Sequence, residues 1–101
     1  MMRDRLAEAI QLRETGRARQ DQAILEEART LLLDLAAAFP DDAEINMQTA
    51  WVHDNLGLER EAVPFYVRAI AQGLSGQYLE RALLGLGSTY RNLGDYQHSE
   101  E

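Results

Sequence analysis

The chain contains no cysteine and no lysine. The first absence excludes disulfides and thiolate metal sites and leaves the redox compartment open. The second leaves all ten basic residues as arginine, against 17 aspartates and glutamates and a net charge of −7. Such a balance repels phosphate backbones, and with no concentrated basic run the expectation is no nucleic acid partner. No apolar run approaches membrane-spanning length, and Asp4 and Glu8 interrupt the N-terminal stretch where a secretion signal needs an unbroken apolar core. No membrane association and a cytoplasmic location are therefore expected. Strand signals are missing as well, which turns attention to helical periods.

At 101 residues, with 46% hydrophobic and 27% charged residues, the chain has the makings of a single globular domain, 1–101, with one modest core. Helical spacing of Leu6, Ala9, Ile10 and Arg13 predicts a first helix over about 2–15, with Gly16 placed to stop it. Ile24, Ala28, Leu31, Leu32, Leu35 and Phe39 mark one face of a second, over 21–38, closed before Pro40. Asp41, with Glu44 three residues on, has the form of a capping box for a third helix over 42–56. Its apolar residues Ile45, Met47, Ala50, Trp51 and Leu56 spread around the axis, so both faces should be covered. Gly57 ends it, and a fourth helix over 59–72 shows Ala62, Phe65, Tyr66, Ala69 and Ile70 at 3.6-residue spacing. A fifth, over 76–93, runs through Leu79, Leu83, Leu86 and Tyr90 to Gly94, after which DYQHSEE reads as the start of a sixth. Gly85 and Gly87 inside the fifth helix each cost roughly 1 kcal/mol relative to alanine, and close approach of a neighbouring helix is the expected reason.

Gly57 and Gly94 stand 37 residues apart in matching contexts, the mark of a helical repeat. Leu83, Leu86, Gly87, Tyr90, Gly94 and Tyr96 in the last copy, and Ala50, Gly57, Ala62, Tyr66 and Ala69 in the central one, resemble the signature of a tetratricopeptide repeat. Asn46, Thr49, His53 and Leu74 depart from that signature in the central copy, and Ser99 in the last. In the first copy only Ala28, Leu32 and Pro40 fit. The phrases AWVHDNLG, AVPFYVRAI and GLGSTYRNLG are similar to a bacterial subgroup of these proteins without a settled activity. The resemblance implies an all-α, right-handed stack of antiparallel helix pairs, about five helices and the start of a sixth. It further implies a non-catalytic scaffold that holds a protein or peptide in a concave groove lined by the first helix of each pair. Carried over by position, the groove residues are Met47, Trp51, Asp54 and Asn55 in the central copy, with Glu44 beside them. In the last copy they are Arg81, Leu84, Ser88, Arg91 and Asn92.

Two other classes of function compete with this. Leu79, Leu83, Leu86 and Tyr90 on the fifth helix would lie open where a following helix is missing. That makes them candidates for self-association, as a homodimer, or for contact within a longer repeat array. A small hydrolase-like enzyme built on His53 is the remote alternative. His53 and Asp54 are neighbours on a helix and point about 100° apart, so a hydrogen-bonded interior histidine is the better reading of His53. His98 lies 45 residues away, and no nucleophile elbow, phosphate loop or metal-ligand spacing accompanies either. No catalytic residue, metal ligand or cofactor is assigned.

Overall fold

The computed structural model describes residues 2–100, with side chains over 3–93. It is all-α, with α1 (Met2–Arg19), α2 (Gln22–Ala38), α3 (Ala43–Asn55), α4 (Glu59–Ala71) and α5 (Gly76–Glu100). Each helix packs on the next, and α3 also touches both α1 and α5. The result is two layers, α1, α3 and α5 in one and α2 and α4 in the other, as a stack of antiparallel pairs requires.

The helix ends depart from the expected ones at three places, the cap of α3 and the ends of α1 and α5. Asp21 caps α2, its side chain accepting from the Ile24 N–H at 3.2 Å, and Asp42 rather than Asp41 caps α3 by accepting from Ile45 at 3.0 Å. At the end of α3, Gly57 takes a φ of 75°, the Leu58 N–H donates to the His53 carbonyl and the Gly57 N–H to that of Asp54. This is a Schellman closure. The same pair of bonds closes α1, from Asp21 to Gly16 and from Gln20 to Arg17, with Gln20 at φ 54° in the glycine position. Gln20 stands 37 residues before Gly57, so the first helix obeys the repeat with a non-glycine turn residue.

Gly16 therefore does not stop α1. It is buried against α2, where a Cβ would stand 2.8 Å from Leu25 Cγ. Its missing side chain lets the first two helices approach. Gly85 does the same for α4 and α5, since a Cβ there would meet Tyr66 Cζ at 2.8 Å, but Gly87 faces open space and has no such reason. Nor does Gly94 end α5, which continues as one helix to Glu100 where a sixth was expected to start. A glycine costs only about 1 kcal/mol inside a helix, so it breaks one only when something else turns the chain. Tyr96, His98 and Ser99 lie outside the described side chains.

Two apolar clusters hold the stack. Leu6, Ala9, Leu25, Ala28, Leu32, Leu35, Ala36, Ile45 and Val52 form the first, between α1, α2 and α3. Ala50, Ala62, Tyr66 and Ala82 form the second, between α3, α4 and α5. The central helix α3 is buried continuously from Ile45 to Ala50 and again at Val52 and His53. It is covered on both faces, as its scattered apolar residues predict.

Candidate functional site, a groove between the first, third and fifth helices

The polar residues buried on α3 sort to its two sides. On the side of α2 and α4, His53 is 1% exposed. Its Nδ1–H donates to the Thr49 carbonyl at 2.7 Å, its Nε2 accepts from Arg29 Nε at 3.1 Å, and its ring stacks on Phe65 at 5.4 Å. Burial holds its pKa below the ordinary histidine value, the bond to Thr49 opposing and Arg29 adding to the depression. Both ring nitrogens are committed to structural bonds. The imidazole is an interior anchor and faces no cavity described in the structure.

On the side of α1 and α5 the surface is concave. An open groove of about 750 Å³ is lined from α3 by Trp51, Asp54 and Asn55, from α5 by Arg81 and Leu84, and from α1 by Arg13, Glu14, Arg17 and Ala18. That volume lies within the range of about 300 to 1,000 Å³ typical of ligand sites. Five of the expected groove residues, Trp51, Asp54, Asn55, Arg81 and Leu84, therefore meet on one surface. Met47 does not join them, being 0% exposed. Ser88, Arg91 and Asn92 are exposed farther along α5 and do not line the groove. Asn92 turns toward α4, its Nδ2 donating to Glu59 Oε1 at 2.9 Å.

Arg13 and Arg17 were not among the expected groove residues. Arg13 is 7% exposed, its Nε donating to Gln48 Oε1 at 2.9 Å and its Nη1 to Asn55 Oδ1 at 3.2 Å. Its guanidinium carbon lies 5.3 Å from the centre of the Trp51 ring, within reach of a cation–π attraction. Burial pushes its pKa down, while Glu14 opposes and Arg17 and Arg81 add repulsion. The signal in the sequence was an arginine on the same helical stripe as Leu6, Ala9 and Ile10, a position that should be buried.

Asp54 is the hinge between groove and core. Its Oδ2 accepts from the Tyr66 hydroxyl and its Oδ1 from Thr89 Oγ1 at 3.0 Å, which ties α3 to α4 and α5. Burial raises its pKa, and the two hydroxyl donors oppose the rise. Tyr66 is pushed up in turn, by burial and by its bond to that carboxylate. A carboxylate occupied in this way contributes less to the groove than its position on α3 implies.

Leu79, Leu83, Leu86 and Tyr90 do not form one uniform exposed face. Leu83 is 51% and Tyr90 52% exposed, whereas Leu79 is half-buried and Leu86 packs against the second cluster. Leu84, at 73%, is the most exposed large apolar side chain among the described residues and borders the groove instead. Among the described residues no group of three histidine, cysteine, aspartate or glutamate side chains could hold a metal, and no helix is long and apolar enough to cross a membrane.

Comparison with known proteins agrees with the geometry. The family model described as a tetratrico peptide repeat matches residues 43–101, which begins at α3 and takes in more than half of the chain. No curated protein and no solved structure matches.

Proposed function

From a chain that belongs to the tetratricopeptide repeat family, we propose a non-catalytic scaffold that holds an extended protein or peptide segment in the groove between α1, α3 and α5. The observation that carries this reading is the convergence of an aromatic ring, an exposed leucine, an amide and three arginines on one concave surface. Amides and guanidinium groups bond a peptide backbone or its carboxylates, while Trp51 and Leu84 cover apolar side chains. The family's usual role as a platform for protein contacts agrees with it. Cytoplasmic location and indifference to nucleic acid belong to the same proposal. So does the absence of enzymatic activity, since His53 is closed off from the groove.

Peptides selected from a random twelve-residue library on the intact chain test the reading. Their affinity should fall at least tenfold for Trp51→Ala and for Leu84→Asp, with helicity retained at the assay temperature; Leu84→Asp, at an exposed position, should keep the melting temperature as well. Affinities unchanged in both variants would place the binding surface elsewhere.

A second reading is self-association through α5, favoured by the exposure of Leu83 and Tyr90, which stand seven residues apart on one stripe of the helix. Leu83, half exposed in a single copy, would contribute at most about 1.5 to 3 kcal/mol from each chain when buried between two. Light scattering coupled to size exclusion across a dilution series should then show a dimer that Leu83→Glu splits. A monomer at every concentration would remove this reading and leave the groove untouched.

A further inference from the structure

A second depression adjoins the groove. It measures about 240 Å³ and is bounded by Arg17, Gln20, Gln22, Leu25, Asn55 and Leu56. Arg17 and Asn55 border both cavities, so the two form one continuous surface that passes between the ends of α1 and α3. The Gln20 turn makes the smaller one, because α1 extends a full turn past Gly16 before the chain reverses into α2. Its apolar surface comes from Leu25 and Leu56, with the aliphatic stems of Arg17 and the glutamines around them. At this size it suits one side chain rather than a whole small ligand.

The charge of the larger cavity is uneven. Arg13, Arg17 and Arg81 stand against Glu14 and Asp54, in a chain whose net charge is −7. The two oxygens of Asp54 already accept hydroxyl bonds from Tyr66 and Thr89. Arg13 is buried against the neutral amides of Gln48 and Asn55, and Glu14, largely exposed, comes no nearer than 4.0 Å. An exposed partner at that distance neutralises little. A buried guanidinium so placed lacks the close anion that normally offsets its desolvation.

We infer that the segment held in this groove carries an acidic residue, met by Arg13, Arg17 and Arg81, within two positions of an apolar residue that seats between Leu25 and Leu56. This rests on the peptide-binding reading and adds the class of segment and a second subsite. The acidic group supplies the anion that the buried guanidinium lacks. The apolar neighbour gives the selectivity that charge alone does not, because pairing at an open groove is screened by salt whereas burial of a methyl group is not.

A random heptapeptide library selected on the intact chain, with acetylated and amidated peptides remade for anisotropy, tests both subsites. The enriched peptides should pair aspartate or glutamate with leucine, isoleucine, valine, methionine or phenylalanine. Exchanging the acidic residue for its amide should weaken binding at least tenfold, and exchanging the apolar residue for alanine at least fivefold. Arg17→Gln combined with Arg81→Gln should cut the preference for acid several-fold, with Arg13 still in place, and leave most of that for the apolar residue, since Leu25 and Leu56 remain. Gln22→Trp, which fills the smaller depression from its exposed rim, should do the reverse. Both changes are at exposed positions, and melting curves would confirm that the fold persists. Enriched peptides without acidic residues, insensitive to the arginine changes but weakened by Trp51→Ala, would overturn this inference and leave the groove reading standing. Selection of no peptide whose binding depends on Trp51 would overturn both.

Discussion

Leu25, Leu32, Leu35 and Ile45 fill the space between α1, α2 and α3 with long aliphatic side chains, whereas Ala50, Ala62 and Ala82 surround a single Tyr66 between α3, α4 and α5. The first cluster is held by volume. The second is held by fit, with the tyrosine ring pressed against Gly85 and its hydroxyl bonded to Asp54. The half built on alanine also leaves Leu83, Leu84 and Tyr90 in solvent, so its apolar side chains are spread over surface instead of being gathered inside. Both halves line the groove, and the half built on alanine also leaves part of its apolar edge open.

If that contrast is right, the two clusters should fail in opposite ways. The largest effect belongs to removal of volume from the first. Leu32→Ala at a fully buried position should lower stability by about 2–5 kcal/mol in urea unfolding. A loss below about 1 kcal/mol would mean that α1 and α2 collapse around the gap, and the first cluster is less well packed than described.

The second cluster should break by addition. Gly85→Val places atoms where Tyr66 already stands, and should cost about 1–3 kcal/mol despite valine's better helix propensity. Tyr66→Phe in the same chain removes the nearest atom and should recover part of the loss, a non-additivity that a double-mutant cycle reads directly. Simple additivity would contradict the close approach.

A smaller, pH-dependent difference separates the two sides of α3. His53 has a depressed folded pKa, so the unfolded chain takes up its proton first. Stability it contributes above the ordinary histidine value of 6.5 is lost as pH falls through the folded value. Asp54 has a raised folded pKa, so its contribution runs the other way, being full below 3.8 and lost as pH rises through the folded value. Urea midpoints should therefore fall between pH 7 and pH 5 in the wild type, and fall less in His53→Gln. Parallel slopes in the two proteins would remove His53 as the source.

The smallest stability effect is expected at Leu83, half exposed on α5, where Leu83→Glu should change stability by no more than about 0.5 kcal/mol. A larger loss in the monomer would show that α5 is buried more deeply than its exposure indicates.

Much of this arrangement was legible in the residues themselves. The 37-residue offset and the covered faces of α3 gave the stack, and positional analogy placed Trp51, Asp54, Asn55, Arg81 and Leu84 on one surface. What stayed hidden was hidden for local reasons. Gln20 adopts a left-handed conformation that its type rarely takes, so glycine at position 16 drew the helix end to itself. An end at Gly16 makes α1 a turn too short and leaves Arg17 out of the groove. Met47 was assigned to the groove by its position in the repeat, yet it is fully buried because α3 is covered on both sides. The tie between Asp54, Tyr66 and Thr89 joins residues up to 35 positions apart, beyond any helical period.

The chain carries one tryptophan, Trp51, and it stands in the groove beneath Arg13. Its emission therefore reports on that surface and on the second cluster it packs against. Titration of a library-selected peptide should produce a saturable change in intensity or wavelength, with the same midpoint as the binding curve measured by calorimetry. Binding seen by calorimetry with no change at Trp51 would contradict the groove as the site of recognition.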